Sequence, residues 1–224
     1  MTDIGLQNLF SSDYSTVEYA ENFKIIGPVT LPIKVKDKKS TMKVHLFSTK
    51  SENYLACVIG DINGSEKVPV RISSACVFGF ILKSLLCDCL DQYEESIQFM
   101  LSAGSGLLIY CLDQHGKGIG LEAHFLVYAE GQRQKKGLFS EIYKGLGLKA
   151  DYRSYEDVFN IIKYFKTEKA FHKISMLTES PDKIQFFLKK CVSINLDIEF
   201  KNFTTIETVE NSSELTEKIE MGYT

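Results

Sequence analysis

The chain lacks the features that would place it outside the cytoplasm. Its first residues, MTDIGLQNLFSSDYS, are acidic and polar and carry no apolar run of the kind a secretory leader uses, so no signal peptide is expected. No hydrophobic stretch is long enough to span a bilayer. The most apolar one, Val77–Leu90, is short and broken by Gly79, Lys83 and Asp88. Positive charge is not in excess: 26 Lys and Arg against 29 Asp and Glu leave a net −3. That balance speaks against wholesale nucleic-acid binding, so an anionic ligand needs a local cationic site. Internal repeats and low-complexity linkers are missing too. Together these absences predict a cytoplasmic protein with no membrane and no nucleic-acid partner, in which thiols stay reduced. The six cysteines, at 57, 76, 87, 89, 111 and 191, are then core residues, metal ligands or nucleophiles rather than three disulfides.

What is present is enough chain for a sizeable core. The 224 residues are 44% hydrophobic and 25% charged, close to globular averages. Residues 1–22 read as a loosely ordered lead-in. From Phe23, the runs FKIIGPVTLPIKV, MKVHLFS, NYLACVIGDI and VPVRIS read as strands separated by the turns KDKKS, KSEN and NGSEK. The stretch 91–103 has apolar residues at helical spacing, with Gly104 placed to end the helix. GLLIYCL reads as a buried strand, followed by the glycine loop HGKGIGLEAH and helical patterns over 121–130, 138–146 and 155–168. KISMLT is a strand, DKIQFFLKKC a helix and INLDIEF a strand, and NSSELTEKIEMGY is helical and amphipathic. Strands first, then alternating helix and strand, predict an α/β fold: a mixed β-sheet with flanking helices, residues 23–224 forming a single domain.

Two clusters stand out. Cys87 and Cys89 flank Asp88, with Cys76 eleven positions before Cys87. In an extended segment alternate side chains point the same way, so the two sulfurs of the pair converge, and Cys76 joins them from the preceding loop. Structural zinc usually takes four protein ligands as two short pairs, and no second pair follows. His115 and His124 are candidates for a fourth ligand. Three ligands with an open position suit a catalytic zinc, which brings the pKa of bound water from about 15.7 to about 7. Plain packing of buried thiols is the alternative. The second cluster, HGKGIGL, sets three alternating glycines around Lys117 between a strand and a helix. It is neither a Walker loop nor a dinucleotide-binding fingerprint. With Arg71, Arg153, Thr178 and Lys183 it would make a cationic ring for a polyphosphate.

The runs VRISSACVFGFILKSLLCDCLDQ, GSGLLIYCLDQHGKGIGL, LGLKADYRSYED and MLTESPDKI resemble GTP cyclohydrolase II, the zinc enzyme that opens riboflavin biosynthesis. The resemblance covers roughly residues 45–223. It implies Zn²⁺ on Cys76, Cys87 and Cys89, whose hydroxide attacks carbon 8 of a purine nucleotide, GTP by default, opening the imidazole ring and releasing formate, with pyrophosphate release left open. It implies that Arg71, Gln92, His115, Gly116, Lys117, Thr178 and Lys183 contact the nucleotide and that Tyr128 lies beside the site. Asp151 would be a proton acceptor and Arg153 a nucleophile at the α-phosphate. Arginine is always protonated, so phosphate binding is its more ordinary task. The resemblance also implies Mg²⁺ on the phosphates and a homodimer, for which the apolar strands of Leu46–Ile62 offer interface material.

The chain departs from the family in the substrate region. Ser73, Ser74 and Ala75 stand for histidine-serine-glutamate, and Phe78, Gly79 and Phe80 for threonine-glycine-aspartate. His115, Gly116 and Lys117 stand for glutamate-glycine-arginine, and Leu138 and Phe139 for aspartate-threonine. Carboxylates leave and aromatics arrive. Guanine's adjacent N–H donors and a magnesium ion both favour carboxylates, so recognition is altered while the ring-opening groups remain. Three readings follow: a GTP cyclohydrolase, a relative using another purine nucleotide or stopping at a formylated intermediate, and a catalytically weak nucleotide-binding protein.

Overall fold

The computed structural model describes residues 17–134, 139–149 and 151–202, together with Ser212, Thr216 and Ile219. The first half is an antiparallel meander of β1 (Val17–Ala20), β2 (Phe23–Val35), β3 (Lys38–Ser48) and β4 (Asn53–Gly60). Lys36 and Asp37 form a two-residue hairpin turn between the paired Val35 and Lys38, with Lys36 at φ 51°. β1 lies inside the stretch read as a lead-in. It is four residues long with exposed central positions, so it carries no alternation from which a strand could be read.

The second half alternates. β5 (Val68–Ser74) leads through the helical turn α1 (Val77–Phe80) and helix α2 (Cys89–Ala103) to β6 (Ser105–Cys111). Gly104 caps α2 at φ 78°, the left-handed conformation that stops a helix, where the sequence places the stop. Then come α3 (Leu121–Gln134), α4 (Phe139–Gly145), α5 (Glu156–Lys169), β7 (Lys173–Leu177), α6 (Pro181–Ser193) and β8 (Asp197–Lys201). Apart from Ser212, Thr216 and Ile219, the expected C-terminal helix lies outside the described residues.

All eight strands join one sheet in the order β1-β2-β3-β4-β6-β5-β7-β8. β4 runs antiparallel to β6, and β6, β5, β7 and β8 are mutually parallel. This is the expected α/β architecture, a mixed sheet with helices on its faces. From β5 the chain crosses to β6 on one side, then passes back over β5 to β7 and β8 on the other. Right-handed crossovers in opposite directions put helices on opposite faces. Accordingly Ile97 and Met100 of α2 pack with Val44, Cys57 and Leu108 on one face. Ile162 and Phe165 of α5 and Phe187 of α6 pack with Phe47, Val58, Ile72 and Ile109 on the other. Each such phenylalanine contributes about 1.5–3 kcal/mol by burial.

Cys57, Cys111 and Cys191 belong to these cores, where burial pushes their thiols up to about 12, about 12 and about 11. The strands over Leu46–Ile62 are interior to the sheet, and Phe47, Tyr54, Ala56 and Cys57 are buried in its two cores, so they leave little free interface material. Exposed large apolar side chains sit instead at Ile81, Leu82, Leu85 and Leu86 and on α3 at Leu121, Phe125 and Leu126. No helix among the described residues is long and apolar enough to cross a membrane.

Candidate active site and metal centre

In an open sheet with parallel strands, ligands sit beyond the strand C-termini where the strand order reverses. That point here is the end of β5. Cys76 follows β5 by two residues, the glycine turn follows β6, and Thr178 follows β7.

The sulfur atoms of Cys76, Cys87 and Cys89 lie within 4.8 Å of one another, and those of Cys76 and Cys87 are 3.8 Å apart. Two thiolates on a tetrahedral zinc, each at about 2.3 Å, stand about 3.8 Å apart. The donor set therefore fits zinc with no more than a small closure of the widest pair. Cys76 is the N-cap of α1 and accepts the Gly79 N–H at 3.3 Å. Cys89 is the first residue of α2, and helix N-termini favour thiolate. Cys87 and Cys89 do not converge through an extended segment as the sequence suggested. Asp88 between them has φ −94° and ψ 12°, and this bend into α2 brings the sulfurs together. A Cβ on Gly79 would stand 3.0 Å from the Cys87 sulfur and 3.1 Å from the Cys89 Cβ, so only glycine leaves the three sulfurs their space. Hydrogen bonds from Cys87 and Cys89 pull the Cys76 thiol down, and the same bonds to Cys76, then burial, hold the other two up. A dication bound there would take all three as thiolates.

A set of cations lies beside this cluster. Lys183, near the start of α6, is buried and donates to the Ile72 carbonyl at 3.2 Å. Burial, then repulsion from Arg153 and Arg71, pulls its amine well below the usual lysine range. Lys183 and Arg153 each stand 5.8 Å from the Tyr155 ring centre. Asp151 accepts from the Arg153 backbone N–H at 2.8 Å and from its Nε at 3.0 Å. Burial raises the Asp151 carboxyl, but its bonds to Arg153 outweigh that and hold it below the ordinary range. Asp151 is therefore an anion at neutral pH. Thr178 is buried, and its hydroxyl accepts the Ser180 N–H at 3.1 Å beside the start of α6. Arg71 donates to the Leu177 carbonyl at 3.0 Å and to the Gln92 side-chain carbonyl at 2.6 Å.

The glycine turn packs on the Asp151–Arg153 loop. The Tyr152 N–H donates to the Lys117 carbonyl at 2.9 Å, and a Cβ on Gly118, at φ 85°, would stand 3.0 Å from the Arg153 nitrogen. Gly116 lies over the His124 ring, and its carbonyl accepts the Tyr143 hydroxyl at 2.9 Å. The Nδ1 atoms of His115 and His124 are buried without a hydrogen-bond partner among the described residues. Tyr128 stacks on Phe78 at 4.3 Å and 21°, with His124 edge-on at 5.1 Å. Phe80 packs edge-on against Tyr93 and Tyr110. Leu138 and the side chain of Phe139 lie outside the described residues.

Arg71, Arg153 and Lys183 thus meet, Lys117 acts on the same Asp151 carboxylate, and the three cysteines cluster. The sequence reading weighs His124 only as a fourth ligand and Phe78 only as a departure in the substrate region, and it assigns Asp88 no role. Asp88 is 2% exposed and bonded to Gln92, and its place between two cysteines was the available signal. Phe78 and His124 wall the site, and no spacing marks them, because they meet only through α1 and α3.

Residues 29–197 match the family model for GTP cyclohydrolase II. The chain is 34% identical over 156 residues to GTP cyclohydrolase-2 of Picrophilus torridus, covering 69% of this chain and 77% of that one. It is 37% identical over 152 residues to GTP cyclohydrolase-2 of Campylobacter hominis, covering 67% and 73%. It is 30% identical over 145 residues to the riboflavin biosynthesis protein RibBA of Aquifex aeolicus, covering 63% of this chain and 34% of that longer one.

Proposed function

The chain belongs to the GTP cyclohydrolase II family of hydrolases, and we propose that it opens the imidazole ring of a purine nucleotide, GTP by default, releasing formate. Cys76, Cys87 and Cys89 would hold a zinc ion, which when bound would supply Lewis acidity and a nucleophilic water near neutral pH. The observation that carries this reading is the three-sulfur cluster at the end of β5, beside the cations Arg71, Arg153 and Lys183. Arg153, Lys183 and Lys117 would bind phosphates, with Mg²⁺ accompanying them, and Thr178 would add a hydroxyl. Asp151, anionic beside the site, would take up a proton. Its partner Arg153 is held as a cation by that carboxylate, which suits a phosphate clamp better than a nucleophile. Tyr128 and the His115–Lys117 turn would line the base side. Arg71 and Gln92 reach the site from within, through bonds to protein. Residues 23–224 would act as one domain with 1–22 leading in, in a homodimer in the cytoplasm within riboflavin biosynthesis.

A second reading keeps the chemistry and changes the base. Ala75 is buried, and Phe80 turns into an aromatic cluster with Tyr93 and Tyr110, so neither position offers a carboxylate to guanine. The test is incubation with a panel of purine nucleoside triphosphates, following formate, pyrophosphate and the ultraviolet change of ring opening. Formate from GTP supports the default, formate chiefly from another purine supports the second reading, and formate from none contradicts both.

A further inference from the structure

Asp88 is a buried carboxylate wedged between two metal ligands, a costly place for a charge unless something answers it. It occupies the N-cap of α2, where an aspartate ordinarily bonds the first free amides, yet it makes no such cap. Its Oδ2 instead accepts the Gln92 side-chain amide at 2.8 Å, one helical turn on. The carbonyl of that same amide accepts Arg71 Nη2 at 2.6 Å. Arg71 Nη1 donates to the Leu177 carbonyl at 3.0 Å, next to Thr178. A single amide therefore joins an anion to a cation, using its donor on one and its acceptor on the other. The relay ties the Cys87–Cys89 bend to β5 and to the end of β7.

We propose that Asp88, Gln92 and Arg71 are positioning residues of the metal centre: they lock the Cys87–Cys89 bend in its ligating shape, and Arg71 sets a buried positive charge beside the three sulfurs. The inference rests on the zinc reading above. A tetrahedral ion with three thiolates carries a net negative charge, to which Asp88 adds another, and Arg71 is the cation bonded into that loop. Arg71 and Gln92 then serve the nucleotide indirectly, by holding the zinc loop and the start of the phosphate loop in fixed relation.

The orientation of the relay gives the test. Gln92→Met keeps the volume and removes both bonds. The swap Asp88→Asn with Gln92→Glu restores both, the 88–92 bond with its direction reversed, since the relocated carboxylate accepts from Arg71 and from the relocated amide. Zinc release to a chromophoric chelator and the visible spectrum of the cobalt-substituted protein are measured, with nucleotide affinity alongside. Gln92→Met should release zinc faster and weaken its binding by up to about 10- to 100-fold, the range seen when groups behind metal ligands are removed, and shift the cobalt bands. The swap should restore both. Zinc release and cobalt bands unchanged in Gln92→Met, with nucleotide affinity alone reduced, would overturn the proposal. So would a swap no better than Gln92→Met. A native chain that takes up no zinc would contradict the zinc reading itself, a result separable from the others.

Discussion

Lys183 is held where a lysine is least comfortable: it is buried, and Arg153 and Arg71 repel it. Such a group destabilises the empty protein and is satisfied by a polyanion. Lys183→Met, which removes a buried and repelled amine, should therefore raise the thermal midpoint. It should also abolish the stabilisation that a nucleoside triphosphate confers in thermal unfolding. A less stable variant that still responds to nucleotide would remove Lys183 from the site. Asp151 has the opposite character. Its folded carboxyl lies below the unfolded value of about 3.9, so its pairing with Arg153 stabilises the protein above that pH. The contribution is lost as pH falls through the lowered folded value. Thermal midpoints of wild type and Asp151→Asn should thus differ at pH 6 and converge in acid, and a constant difference would contradict the pairing. Gly79→Ala would ordinarily gain helix propensity, roughly 1 kcal/mol. Here its methyl meets the Cys87 sulfur at 3.0 Å, so zinc content after dialysis should fall rather than hold.

At the scale of elements, the site is a set of junctions. The glycine turn after β6 and the loop before α5 touch backbone to backbone at Gly118 and Arg153. Gly118→Ala would force a side chain into φ 85° and into that contact, a strain of roughly 1–3 kcal/mol. It should raise KM for the nucleotide while far-ultraviolet dichroism stays native, and an unchanged KM would show that the two loops act separately. Junctions also explain what was legible in the sequence. Helices α2, α3, α5 and α6 carry period-3.6 patterns, and β2 through β8 are β-rich or apolar runs bounded by turns, so these elements stand close to where the sequence placed them. β1 and α1 are four residues each, too short for any period to show. The cysteine triad was legible from spacing. The bend that unites it was not, because it depends on the bond from Asp88 to Gln92 and not on strand alternation. Phe78, His124 and Tyr128 come together across separate elements, and no local pattern records such a meeting.

At the scale of the whole molecule, an antiparallel half adjoins a parallel half at whose strand ends the three cysteines and the cations gather. The exposed apolar side chains at Ile81, Leu82, Leu85 and Leu86 lie between Cys76 and Cys87, and with Leu121, Phe125 and Leu126 they are a candidate surface for the proposed second copy. Light scattering should give a dimer mass, reduced toward the monomer by Leu82→Glu with Leu85→Glu. A monomeric native chain would contradict the dimer. The central claim is that the sulfur cluster and the cations beside it form one ring-opening centre. It is tested most directly by measuring formate released per nucleotide from GTP and other purine nucleoside triphosphates, by the zinc-loaded chain and by Cys87→Ser. The account predicts formate in step with the ultraviolet change for the native chain and none for Cys87→Ser. Formate from neither protein with any purine nucleotide, or equal formate from both, would contradict it.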